Sequence, residues 1–203
     1  MSRIDSGGAP GIRMDLEAPL VALVDEIRWT LPELSHVDSR RVLFVAGAAR
    51  LSAKASIRPL TFGGTPPSRV RGDGRFRKPR IQIDGVEMLY EICLRPRFFL
   101  ESTAAERLGL IVHELWHASL EFDGALEPSR RHRVAGLGIE QEVTAAIGVL
   151  RLQRPNAGAF LAERGEHTLR SWLERPPSLI PKDRAARDFY TERELYSSIV
   201  ELA

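Results

Sequence analysis

His113-Glu114-Leu115-Trp116-His117 sets two imidazoles and a carboxylate in an HExxH pattern. Residues four apart share one helical face, so both imidazoles can hold one metal ion and the glutamate beside the first can reach a metal-bound water. A chain with five histidines would give about 0.01 such matches by random arrangement, so composition alone does not explain the pattern. Zinc, one per chain, is the expected ion, because it accepts imidazole ligands and keeps a tetrahedral position open for water. It would lower the pKa of that water from roughly 15.7 toward 7 and polarise a peptide carbonyl, with Glu114 as the general base. A catalytic zinc takes a third protein ligand. His132 beyond the turn at Asp123-Gly124 is preferred, and Glu140 and Glu142 compete with it, since either would give a two-His, one-Glu set. Asp123 is a weaker candidate, because Asp-Gly is foremost turn chemistry. His167, Tyr190, Tyr196 and arginine side chains are candidate donors to a developing oxyanion.

These residues need a helix to position them. Thr103 and Glu106 form a capping-box pattern, and Leu108, Ile111, Val112 and Leu115 fall at i, i+3, i+4 and i+7, which predicts a helix over 103–120. A first amphipathic helix runs from Asp15 until Pro32 stops it, and a further helix is expected over 133–152. Apolar, β-branched runs predict strands at 42–46 and 53–60, read as a hairpin, and at 80–83 and 86–94 around the turn Asp84-Gly85. The segment 61–79, rich in Gly, Pro and Arg, reads as a long exposed loop. Two more helices are expected over 158–173 and 183–202. Trp29, Trp116 and Trp172 are expected to fill the core. A peptide substrate is expected to add as a strand along 86–94, just before the active helix.

The pattern HExxHxxGxxH is excluded, since Leu120 and Asp123 stand where its glycine and third histidine belong. No apolar stretch is long enough for an intramembrane protease. The order of a leading helix, a small sheet, a capped helix with His-Glu-Leu-x-His, a short turn and a further histidine resembles the SprT-like zincins and related phage-type metallopeptidases. Asp123-Gly124-Ala125-Leu126 adds to that resemblance, whereas Arg133 departs from it at a position where an acid is expected. The resemblance covers roughly residues 15–150. It implies zinc on His113, His117 and His132, Glu114 as base, a zincin fold, and protein substrates that are bound to DNA.

The chain has 203 residues, with 29 basic and 27 acidic side chains and 43% apolar residues. That is enough to bury a core without a disulfide, and balanced enough to exclude an acidic tail or a rod. The single cysteine, Cys93, sits in an apolar run and is expected to be a buried thiol, which fits a reducing, cytoplasmic setting. No secretory h-region is recognised near the N-terminus. Arg69, Arg71, Arg75, Arg77, Lys78 and Arg80 crowd one short segment and could neutralise phosphates of a nucleic acid without reading its sequence. The expected organisation is an α+β zincin-like peptidase domain over 15–155 with a small mixed sheet, preceded by a flexible 1–14 and followed by a helical extension over 156–203.

Overall fold

The computed structural model describes residues 12–48, 53–63, 68–71, 74–130, 138–183 and 185–203. In chain order it contains α1 (Glu17–Thr30), β1 (Val42–Ala46), β2 (Ala55–Pro59), β3 (Ser68–Arg71), β4 (Gly74–Arg77), β5 (Arg80–Ile83), β6 (Val86–Glu87) and β7 (Tyr90–Leu94). There follow α2 (Pro96–Glu101), α3 (Ala104–Trp116), α4 (Gly138–Gln153), β8 (Gly165–Trp172), β9 (Ile180–Pro181), β10 (Phe189–Thr191) and β11 (Leu195–Leu202). The architecture is mixed α+β, with small sheets carrying helices. Among the described residues no helix is long and apolar enough to cross a membrane.

The sheet beneath the helices has the order β1-β7-β2, with β1 parallel and β2 antiparallel to β7. The expected β1–β2 hairpin is therefore corrected, because β7 lies between the two strands and takes both pairings. All five residues of β7 are buried, as a central strand covered on both faces requires. Val42, Phe44, Ile92 and Leu94 join the large core under α1, α3 and α4. Leu43, Val45 and Cys93 face a second core with Ile81, Met88, Trp172 and Tyr190. The period of two assigns alternate residues to opposite cores, and Cys93 is buried as expected.

α1 and α3 form where their apolar spacing predicts, but α3 ends earlier than expected, with His117 as its C-cap. The capping box is formed: the Glu106 carboxylate accepts from the Thr103 N–H at 2.8 Å, and the Thr103 hydroxyl accepts from the Glu106 N–H. The turn Asp84-Gly85 has both residues at positive φ, 50° and 81°, and joins β5 to β6 as an antiparallel pair. The segment read as an open loop instead contains β3 and β4, which pair with each other, and β9 extends that sheet.

The helical C-terminal portion expected from the sequence is also corrected. β8 and β11 pair antiparallel over eight residues each, and the alternate residues His167, Leu169 and Ser171 are buried along β8. That is a strand period, and a helical reading of 158–173 passes over it. Residues 13 and 14, expected to belong to a flexible terminus, attach together with residues 15 and 16 to the other side of β8. Thr168 N–H donates to Met14 C=O, and Leu16 N–H donates to Thr168 C=O, both at 2.9 Å. Residues 1–11, and the first turns of the helix expected from residue 133, lie outside the described residues. Trp116 and Trp172 are core residues, but Trp29 is 70% exposed on the outer face of α1.

Candidate metal centre

α3 buries Leu108, Ile111, Val112 and Leu115 against the core, and this fixes the face on which its histidines stand. The Nε2 atoms of His113 and His117 lie 3.3 Å apart, with the rings nearly perpendicular at 84°. Two nitrogens on one tetrahedral zinc at about 2.05 Å would stand about 3.35 Å apart, so the spacing suits a shared ion. His117 Nδ1 lies 2.6 Å from the Arg130 carbonyl, which can only accept. The proton is therefore on Nδ1, and the Nε2 lone pair points toward His113.

Arg130 is itself positioned by the motif. Its guanidinium lies 4.7 Å over the Trp116 ring and donates to the Trp116 carbonyl at 3.3 Å, while the Trp116 indole N–H donates to Glu142 at 3.1 Å. Trp116 thus does more than pack the helix: it holds the residue whose carbonyl orients a histidine. Glu142 is exposed and engaged by that indole, and Glu140 is exposed beside it. Neither forms a group with the histidine pair, and among the described residues no cluster of three His, Cys, Asp or Glu could hold a metal. His132 lies outside the described residues, two positions beyond Arg130.

Glu114 is only 7% exposed. Its carboxylate accepts a 2.7 Å hydrogen bond from the Ile57 N–H, on the outer edge of β2. Burial raises its pKa to about 7, and the Ile57 bond opposes that rise.

The turn after α3 is built on Tyr90. Its hydroxyl accepts from the backbone N–H groups of Ser119 and Gly124 at 3.1 and 3.2 Å and donates to the Ala125 carbonyl at 2.7 Å. Gly124 has φ 82°, and a Cβ there would stand 3.1 Å from the Leu89 carbonyl, so the Asp123-Gly124 turn requires glycine. Asp123 serves this turn, accepting from Ser119 Oγ and the Ala125 N–H.

The strand expected to receive substrate is corrected. β7 is paired on both sides, and the free edge near Glu114 belongs to β2. Leu60 N–H donates to Leu89 C=O and Arg95 N–H to Lys54 C=O, so even-numbered residues of this strand face β7. Ala55, Ile57 and Pro59 turn their backbone groups outward.

Beside this edge stands a cluster that lies outside the HExxH pattern. Glu91 of β7 is fully buried and accepts from Arg58 at 2.6 Å, the Trp172 indole at 2.8 Å and Arg175 at 2.5 and 2.9 Å. An acid inside the apolar run from Met88 to Leu94 was its one sequence signal.

Of the candidate oxyanion donors, His167 is fully buried with Nε2 against the Glu163 carbonyl, and the Tyr190 hydroxyl donates to the Arg187 carbonyl. Tyr196 is exposed on β11. None of the three is among the residues that line the cleft beside the free edge of β2, formed by residues 56–59, Lys78, Leu126 and residues 175–178. Of the six clustered cations, Arg77 pairs with Asp188, Lys78 donates to the Pro59 carbonyl and Arg80 pairs with Glu87. Arg75 is exposed on β4, and the Arg69 and Arg71 side chains lie outside the described residues.

Comparison of this chain with family models, with curated proteins and with solved structures gives no match.

Proposed function

We propose that this chain is a zinc-dependent peptidase of zincin type. The observation that carries the reading is the convergence of His113 and His117 Nε2 at 3.3 Å, with His117 oriented by the Arg130 carbonyl and a buried carboxylate adjacent in sequence. His113 and His117 would hold the ion, with His132 as the third ligand. The chain at Arg130 already touches the His117 ring, and two further residues span at most about 7 Å, which keeps His132 within reach. When bound, zinc supplies Lewis acidity that activates a water and polarises the scissile carbonyl. Glu114 takes that water's proton and passes it to the leaving amine. Its raised proton affinity suits a group that must hold a proton in mid-reaction. The outward N–H and C=O of Ala55 and the outward C=O of Ile57, whose N–H is held by Glu114, would pair with an extended substrate.

The test joins metal content to turnover. Purified protein should carry zinc and release peptides from unfolded casein, and Glu114→Gln should keep its zinc while hydrolysis falls at least about 10²-fold. Equal turnover by both proteins would remove Glu114 from the chemistry, and zinc-loaded wild type that cleaves nothing would remove the peptidase.

A second reading is a zinc-stabilised binding module, favoured by the bond from Ile57 to Glu114, since a carboxylate fastened to a strand amide can be purely structural. In that reading the exposed Arg75 hairpin would contact nucleic acid. Binding to a DNA duplex at low salt, with a slope reduced by Arg75→Ser, would support it.

A further inference from the structure

A groove of about 570 Å³ follows the free edge of β2, with Ser56, Arg58, Lys78, Leu126, Arg175 and Pro177 among its lining residues. It abuts the candidate centre at both walls. Ile57 of the near wall donates its N–H to Glu114, and Leu126 bridges to Ala118, the residue after His117. Three cations line the groove, and no acid does among the described residues. Two of them, Arg58 and Arg175, share the carboxylate of Glu91, which is buried behind the groove. Two guanidinium charges thus face one carboxylate, and one positive charge is left over by Arg58, Arg175 and Glu91 together.

The walls are also tied together. Arg58 Nη1 donates to the Pro176 carbonyl at 2.6 Å while Nη2 holds Glu91, so β2 and the segment from Arg175 to Ser178 are fixed at one separation. Arg58 Nε is buried with no partner among the described residues. Arg175 uses Nε and Nη2 on Glu91, and its side chain is 37% exposed. Lys78 donates to the outward carbonyl of Pro59, which brings its ammonium to the same edge. A fold that needed only to neutralise Glu91 would require one arginine. The surplus guanidinium charge is held, partly desolvated, where an extended chain would lie.

We propose that this groove selects peptides bearing a carboxylate, read by Arg175 and Lys78 while the peptide runs along β2. This rests on the peptidase reading for the identity of the occupant as a peptide, and it adds the chemistry that the peptide must carry. The carboxylate comes from an acidic side chain or from a free C-terminus, two sources with one recognising chemistry.

The experiment uses the zinc-loaded Glu114→Gln protein, so that nothing is consumed, and fluorescence anisotropy with four labelled decapeptides of Ser, Thr and Val. They differ only in a central Glu or Gln and in a C-terminal carboxylate or amide. At least one carboxylate-bearing peptide should bind about tenfold or more tightly than the Gln amide. A gain that follows Glu assigns the acidic side chain, and a gain that follows the free terminus assigns the terminal carboxylate. Arg175→Gln should shrink the gain to within about twofold. Because Arg175 also supports Glu91, Lys78→Gln provides a second variant that leaves the Glu91 cluster intact, and it should reduce the gain as well. Equal affinity for all four peptides, no binding of any, or a preference that persists in both variants would overturn the proposal. Casein cleavage by wild type, run alongside, separates the two claims: charge-selective binding without any hydrolysis contradicts the peptidase and retains the groove.

Discussion

Glu91 and Glu114 are both buried carboxylates near one strand, and the protein treats them oppositely. Glu91 meets two guanidinium groups and an indole N–H, which bind β2, β7 and the end of β8 into one structure. Glu114 meets a single backbone N–H, and burial lifts its pKa to about 7. A carboxylate that serves packing is paired until its desolvation is offset. One held by a single backbone N–H, adjacent in sequence to His113, keeps a proton affinity close to neutral, which is the property a general base uses.

Four predictions break or sharpen that contrast. The largest effect belongs to Glu91→Ala, which leaves Arg58 and Arg175 without their counter-charge. Urea unfolding should show a loss of about 3–5 kcal/mol, and a loss below about 1 kcal/mol would mean that the cluster is not structural. Next, Trp116→Phe removes the indole bond to Glu142 and weakens the platform under Arg130. Competition with a chelator should show zinc affinity reduced about tenfold, the scale of lost support around a metal ligand, and unchanged affinity would detach Trp116 and Arg130 from the centre.

Smaller again is the stability effect of Glu114→Gln. The amide oxygen can still accept the Ile57 N–H, so unfolding free energy should stay within about 1 kcal/mol of wild type. A loss comparable to that of Glu91→Ala would make Glu114 a structural residue and end the contrast. The smallest effect concerns His36, half-buried with an edge contact to Phe122 and a buried Nε2 without a partner among the described residues. Burial first, and then the Arg130 charge, lower its pKa below the usual 6.5. The unfolded chain therefore gains this proton first as pH falls, so the contribution is full above about pH 6.5 and declines below it until the folded state also protonates. His36→Gln should flatten that limb of the wild-type stability curve, and superimposable pH slopes would remove His36 as its cause.

α3 was legible because three patterns coincide there: a capping box, an apolar stripe and HExxH. The strands at 42–46 and 80–83 were legible from β-branched runs. The order β1-β7-β2 was not, because nothing local tells two short strands that a third, over thirty residues downstream, will separate them. The same limit hid the free edge of β2, which depends on pairing rather than on residue type. β8 was hard to read because two of the three buried residues that mark its alternation, His167 and Ser171, are polar, so the strand carries no alternating apolar pattern. Glu91 was visible as an acid among apolar neighbours, but its partners Arg58 and Arg175 lie far from it in sequence.

The central claim is a zinc ion on His113, His117 and His132 with one position left to water. X-ray absorption at the zinc edge of the purified protein tests it most directly. The predicted shell is about three imidazole nitrogens at roughly 2.0–2.1 Å plus one further light atom, with imidazole scattering reduced by one ligand in His132→Ala. Protein purified without zinc, a shell containing sulfur, or an unaltered spectrum in His132→Ala would contradict it.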